Sequence, residues 1–489
     1  INPVIGEYDD PYNQRQGVVS LELSSKGNTI IYGNAESGKE TLLSTIVYDT
    51  MTNYDANEVQ MYLLDFGSEV LKIFKESPIV GDVVFLNDTE KISRLFEVIQ
   101  KEIKTRTAIL SDFGGDYNLY LNTDKNVMPM IIVMINNYEA FSENYENEYD
   151  DTLLTLTREG VKCGIVFIIT ASTSSDLRYR LAQNFRQKIV LQLNNEDDYL
   201  SILDGVDKKR PSHIFGRGLV KLDDIYEFQT ARICEPEKWN TFIKNTIKDL
   251  KNKSKVFAKK LPILPKRVSL EDVKEKISDI TAVPLGIGKK NINIFTYDFS
   301  KRLVNIITSK NIEVVTKYVS YLLEEFKLIK NLELNILDAE RVIQTGKGNL
   351  ILNLKKLEIE IDNKLNSGEN KICIIIGLDK FINDLEGAEE KFNEILKKAD
   401  ELENYNFIII ENFNKLKNRQ YDEWYKNYIL GDSGIWIGNG INDQYLLNTN
   451  CDRSDLINNC GNSFGYAVEN EMPTLIKLLG MVDEGDDDG

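Results

Sequence analysis

The residues best spaced for chemistry lie in Asn28-Thr29-Ile30-Ile31-Tyr32-Gly33-Asn34-Ala35-Glu36-Ser37-Gly38-Lys39-Glu40-Thr41. Gly33, four further residues, then Gly38-Lys39 is the spacing of a phosphate-binding loop, in which backbone N–H groups and one lysine wrap nucleotide phosphates. Glycine permits the turn and the close approach of the backbone, and a following helix adds the positive end of its dipole. The candidate binding residues are therefore Gly33, Asn34, Ala35, Glu36, Ser37, Gly38, Lys39, Glu40 and Thr41.

One position departs from that chemistry. Ser or Thr normally follows the lysine and holds Mg²⁺, but here Glu40 does, with Thr41 behind it. A carboxylate about 5 Å from a phosphate charge costs on the order of 3 kcal/mol at an effective dielectric near 20, unless a metal lies between them. A P-loop ATPase also needs a metal-holding carboxylate after an apolar strand, usually followed by an acid that polarises the attacking water. The run Met130-Ile131-Ile132-Val133-Met134-Ile135 ends instead in Asn136-Asn137. An amide carries no charge and is no base. Glu139 lies two residues on and is the weak alternative. The expected cofactor is ATP with Mg²⁺, in the first module only, with hydrolysis slow or absent and no catalytic residue assigned.

The elements that would position this loop follow from apolar patterning. Val18, Leu21 and Leu23 suggest a strand in an edge region over residues 1–27, and a helix is expected over 39–51. Met61–Asp65 reads as a buried strand with a polar end, residues 89–112 as an amphipathic helix, and 113–127 as a loop. Buried strands follow at Met130–Ile135, Gly164–Thr170, Ile189–Leu193 and Gly216–Val220. Strands alternating with helices predict a parallel sheet with its ligand crevice at the carboxyl ends.

The second half repeats this order. Leu303–Ile307, Leu334–Asp338, Ile372–Ile376 and Phe407–Glu411 resemble the strands ending near Tyr32, Asp65, Asn136 and Thr170. Asn136 and Thr170 are 34 residues apart, as are Gly377 and Glu411. An internal duplication accounts for this. The second copy has no glycine in Thr308–Thr316, Val314 at the lysine place and Gly377-Leu378 at the acid pair, so no nucleotide is expected there. The expected domains are 1–245, a linker over 246–282 that opens with a charge run and continues through Leu261-Pro262-Ile263-Leu264-Pro265, a second module over 283–482, and an acidic tail over 483–489.

Composition bounds the function. The 489 residues carry a net charge of −18, which disfavours a general nucleic-acid surface. Five scattered cysteines form no CxxC pair, and the single histidine, His213, reads as a loop residue. No stretch approaches about 20 apolar residues. Ile1 at the first position suggests a piece of a longer protein whose membrane anchor would lie upstream. Arg178, Arg180 and Arg186 cluster before a strand and read more readily as surface ion pairs than as an arginine finger.

The ordered set formed by the loop, Leu64-Asp65-Phe66-Gly67, Leu181-Ala182-Gln183-Asn184-Phe185-Arg186, Pro211-Ser212, Gly216-Arg217-Gly218-Leu219-Val220 and Glu227-Phe228-Gln229 resembles the FtsK/SpoIIIE-type ATPases of type VII secretion systems. Leu261–Val268 and Gly434–Ile441 resemble the linker and a late segment of the same proteins. The resemblance covers nearly the whole chain, as the last two of three tandem modules. It implies two RecA-like P-loop NTPase modules of α/β fold, with mainly parallel sheets and flanking helices. It further implies a secretion motor at the cytoplasmic face of the cell membrane, anchored only through upstream segments. Its partners would be small helical WXG100-type proteins and effectors, bound through the last module, and other secretion components. A hexamer of the full-length protein is left open. The rival readings are a nucleotide-free scaffold of the same machine and, less well supported, a DNA translocase.

Overall fold

The computed structural model describes residues 1–123, 127–343, 349–363, 370–384, 386–402 and 404–483. Except for Asp483, the acidic tail expected at the end lies outside the described residues. The chain divides into two units, Ile1–Ile263 and Leu264–Gly489.

In the first unit the strands are β1 (Val4–Asp10), β2 (Arg15–Ser20), β3 (Thr29–Tyr32), β4 (Val59–Asp65), β5 (Val80–Phe85), β6 (Met130–Asn136), β7 (Ile165–Ala171), β8 (Gln187–Val190), β9 (Arg217–Lys221) and β10 (Ile225–Thr230). They form one sheet in the order β2-β1-β10-β9-β8-β3-β7-β6-β4-β5. The six strands from β8 to β5 are parallel; β9, β10, β1 and β2 are antiparallel. The sheet is mainly parallel, as expected, with an antiparallel flank at one side. Short connections explain this: Leu222–Asp224 joins β9 to β10, and only antiparallel neighbours can be linked so tightly. Leu21 and Leu23 are core residues outside any strand, with Leu23 opening a short helix. The stretch expected as a loop over 113–127 contains a helical turn, Tyr117–Leu121, capped by Asp116.

The second unit holds β11 (Val283–Gly288), β12 (Ile294–Tyr297), β13 (Val304–Ser309), β14 (Leu332–Asp338), β15 (Asn349–Leu350), β16 (Asn370–Ile376), β17 (Tyr405–Asn412), β18 (Gly434–Ile437), β19 (Phe464–Glu469) and β20 (Met472–Leu478). Their order is β12-β11-β20-β19-β18-β13-β17-β16-β14-β15. This is the same permutation as in the first sheet, strand for strand. Both units have the P-loop NTPase fold.

Burial on both faces accounts for the continuous apolar runs. In β16 and β17, Cys373, Ile375, Phe407 and Ile409 pack into one core layer, while Ile372, Ile374, Ile408 and Ile410 pack into the opposite one. The period-two alternation of a strand divides a uniform hydrophobic run between two cores.

The stretch 246–282 is held at both ends. The helix Trp239–Lys253 runs into it. Ala258 N–H donates to Pro78 O at 2.7 Å and Tyr62 Oη donates to Lys259 O at 2.9 Å, tying residues 258–259 to the first unit. In the second unit Gly480 N–H donates to Val268 O at 2.8 Å, and Ser269 caps a turn through Asp272.

One core residue of the second unit is chemically out of place. Glu325, on the buried face of the helix Ile312–Phe326, is fully buried, and neither carboxyl oxygen has a hydrogen-bond partner. Loss of solvation pushes its pKa up to about 9. The folded state therefore holds a proton that the unfolded chain releases near 4.5. Stability from this group is complete below that value and declines as the pH rises toward 9, by up to about 1.4 kcal/mol per pH unit. We expect Glu325→Leu to stabilise the chain by about 1–3 kcal/mol at pH 7. Urea unfolding at pH 5, 7 and 8.5 should show the gain growing with pH.

Candidate functional site

Backbone register assembles the site. Asp65 pairs with Asn136 across β4 and β6, Ile135 with Ile169 across β6 and β7, and Ile31 with Thr170 across β3 and β7. The carboxyl ends of these strands are thereby level, with the glycine-bracketed loop directly beyond β3.

The loop's two end glycines meet steric demands. A Cβ on Gly33 would sit 2.4 Å from Ser37 Oγ. Gly38 has φ +101°, in the left-handed region, and packs against the backbone of Gly216. Gly216 N–H donates to Ser37 O at 3.1 Å, and Asn34 N–H donates to Gln192 O at 2.7 Å. The segment around Gly216 thus braces the loop from outside. Lys39 begins the helix Lys39–Asn53, whose first N–H groups precede any intrahelical acceptor. Asn34, Ala35, Glu36, Gly38, Lys39, Glu40 and Thr41 line a cleft of about 460 Å³, walled opposite by Gly67, Asn136 and Asn137. Ser37 lies beneath, buried, its Oγ donating to Asn34 O at 2.9 Å. Seven of the nine expected binding residues line this cleft, the last three of them from the first turn of the helix.

Lys39 is half-buried, and its Nζ donates to Gly33 O and Asn34 O. Burial lowers its pKa, opposed by the charges of Asp176, Glu40 and Glu139. Phosphate oxygens arriving in the cleft would replace those carbonyls as acceptors. The glycine-lined cradle and the helix N-terminus fit phosphates.

The metal and base positions are filled differently. Glu40 Oε1 accepts from Ser68 Oγ at 2.5 Å, so the carboxylate faces the loop after β4. Asn136 is buried and bonded at both ends of its amide, with Nδ2 donating to Asp65 Oδ1 at 2.8 Å and Oδ1 accepting from Thr170 Oγ1 at 3.0 Å. Asp65 in turn accepts from the N–H groups of Gly67 and Leu71. Asn137, at φ +64°, caps the helix Tyr138–Asn144, and its N–H donates to Thr170 Oγ1 at 2.8 Å. Both asparagines hold the strand ends together. Glu139 is exposed, and the charge of Asp176, with a smaller contribution from burial, raises its pKa. Asp176 itself closes the turn after β7, accepting from the N–H groups of Ser172 and Thr173. Among the described residues, no group of three or more His, Cys, Asp or Glu is arranged to hold a metal ion. A Mg²⁺ ion here would take its ligands mainly from phosphate oxygens and water.

Residues 10–208 match the FtsK/SpoIIIE family. The chain is 25% identical over 431 residues to the type VII secretion system protein EssC of Staphylococcus aureus (strain MRSA252), across 83% of its own length and 29% of that protein's. It thus spans under a third of that relative. A solved structure of EssC (ATPases 2 and 3) from Geobacillus thermodenitrificans superposes with a TM-score of 0.85 at 20% identity, covering 98% of this chain and 96% of that one. The fold is also shared, at TM-score 0.55 and 18% identity, with Thermomonospora curvata EccC (ATPases 2 and 3) in complex with a signal sequence peptide, over 98% of this chain and 93% of that one. Among the described residues no helix is long and apolar enough to cross a membrane.

In the FtsK/SpoIIIE-like site, several supporting residues escaped the sequence reading. Ser68, Gln192 and Asp176 have no motif of their own. Gly216 stood in a segment already singled out, but its contact with Gly38 is purely tertiary. The arginine cluster disperses: Arg178 pairs with Asp150 at 2.8 Å, and Arg180 and Arg186 are exposed. Arg217 bonds Gln229 at 2.8 Å. His213 is an exposed loop residue.

The second unit corrects two correspondences. Asp338 pairs with Ile376, and Gly377, at φ +74°, caps the next helix as Asn137 does. The acid pair is therefore replaced by Ile376-Gly377; the expected Gly377-Leu378 is one residue out of phase. The 34-residue spacing holds between Ile376 and Ile410. The loop after β13 is also shorter: Ser309 to Asn311 span the gap that Gly33 to Gly38 span in the first unit. Asn311 caps the helix through Glu313 N–H at 3.0 Å. Ile312, rather than Val314, begins that helix, where Lys39 stands in the first unit.

Restoring the acid at the metal position is not a neutral change. Asn136→Asp would set a second buried carboxylate against Asp65. We expect it to cost about 3 kcal/mol at neutral pH and less near pH 4, where the new carboxyl is protonated. Thermal melts across that range would reveal the difference.

Proposed function

We propose that this chain is the motor-or-platform part of a type VII protein secretion translocase. In this reading the first unit binds ATP, with Mg²⁺, through Gly33–Thr41, and the last unit binds secretion substrates of the WXG100 type and effectors. The full-length protein acts at the cytoplasmic face of the membrane, with other secretion components and with its own copies as partners.

The single observation that carries the nucleotide assignment is the intact cradle: Gly33 and Gly38 with no room for a side chain, and Lys39 at the helix start. The bound triphosphate would supply negative charge that Lys39 and the loop N–H groups neutralise. Amides stand at Asn136 and Asn137, where a P-loop ATPase carries its metal-holding acid and its base, and this supports ligand binding without rapid turnover. Nucleotide favouring one arrangement of the translocase would shift its population without being cleaved. Substrate binding by the last unit is supported by the signal peptide held by the structurally similar T. curvata EccC and by the loss of the phosphate loop here.

Calorimetric titration of the chain with ATP and Mg²⁺ tests the first assignment. Wild type should bind, and Lys39→Ala should bind at least ten-fold more weakly. Equal affinities would leave the nucleotide-free scaffold as the better reading.

A further inference from the structure

A second cavity of the first unit shares no lining residue with the cleft at the phosphate loop. It is a groove of about 870 Å³ between residues 69–76 and the helix Trp239–Lys253. We propose that this groove is a docking site for an acidic, amphipathic peptide segment of a partner protein.

The floor is apolar. Val70, Ile73 and Trp239 are partly buried, and Ile247 is buried beneath them. The rim is basic. Lys72, Lys75, Lys244, Lys248 and Lys251 face only two acids, Glu69 and Glu76. Lys72 is paired with Glu69 at 3.2 Å and Lys251 with Glu76 at 2.8 Å. Lys75, Lys244 and Lys248 are exposed and make no ion pair among the described residues. The hydrogen bond and charge of Lys251, with smaller contributions from Lys260 and Lys75, lower the pKa of Glu76.

This concentration of lysine runs against a chain of net charge −18. Like charges packed along one groove repel each other, and an anionic occupant relieves that repulsion. The apolar floor decides which anion. Phosphate backbones offer nothing to bury on Ile73 and Trp239, and a bilayer surface is flat where this site is concave. A peptide with apolar side chains toward the floor and carboxylates toward the lysines satisfies both surfaces. Groove recognition of this kind uses apolar anchors at helical spacing for affinity and rim charges for register.

The test uses the whole chain and does not depend on nucleotide. A random peptide library displayed on phage is selected against the wild-type chain and counter-selected against Lys75→Glu/Lys244→Glu/Lys248→Glu. Enriched sequences should place Asp or Glu beside Leu, Ile, Phe or Met. The best synthetic peptide should lose at least ten-fold in affinity against that variant and against Ile73→Asp, and should weaken when its own acids become amides. Thermal melts verify folding, and Lys75→Gln/Lys244→Gln/Lys248→Gln replaces the charge reversal if it fails to fold. Enrichment of no acidic sequence, or equal binding to variant and wild type, would overturn the proposal. So would variant-sensitive binding of phosphatidylserine vesicles or duplex DNA with no peptide binding, which would assign the groove to a membrane or to nucleic acid.

Discussion

Everything at the loop rests on the register of β3, β7, β6 and β4. Parallel pairing sets Ile31 beside Thr170, and Asp65 beside Asn136. Those side chains then bond across the strand ends, from Asp65 to Asn136 to Thr170 and on to the N–H of Asn137. Parallel strands need long crossovers, so these neighbours come from segments far apart in the chain, 71 residues for Asp65 and Asn136 and 139 (170 − 31) for Ile31 and Thr170. A slip of one residue would turn the polar ends into the apolar layers and leave buried donors unpaired.

The same chain of bonds explains what occupies the positions that hold the metal and the base in a P-loop ATPase. Asp65 holds the turn that follows β4, Asn136 bridges Asp65 and Thr170, and Asn137 caps a helix. Two neutral amides avoid the repulsion that two acids would bring to Asp65, Glu40 and Asp176. The architecture gains a satisfied polar network where an ATPase would keep charge and an open coordination position. Lys39 remains because its charge is matched by carbonyls of the loop and by surrounding acids.

The second unit shows how far the architecture tolerates a change in the turn after the first parallel strand. Ten strands keep the same spatial order, while the loop contracts to an asparagine-capped turn and the polar end of β6 becomes Ile376 in β16. The helix after β13 presents Ile312 instead of a lysine. Sheet order depends on apolar layers and crossover connections, which many sequences satisfy; phosphate binding depends on a few glycines and one charge. The first can therefore outlast the second.

The sequence by itself determined the buried strands, the long amphipathic helix and the glycine-bracketed turn ahead of the helix Lys39–Asn53, because apolar periodicity and glycine spacing are local signals. It also exposed the repeat, through the recurring 34-residue interval, but set its phase one residue off. Only the tertiary structure decided that phase, since a capping residue at positive φ and a strand register have no local signature in an all-apolar run. It likewise decided the antiparallel half of each sheet, the support of Gly38 by Gly216, the bonding of Asn136 to Asp65, and the basic groove. Each of these joins segments far apart in the chain, and pairing across such distances is settled by packing, not by neighbouring residues.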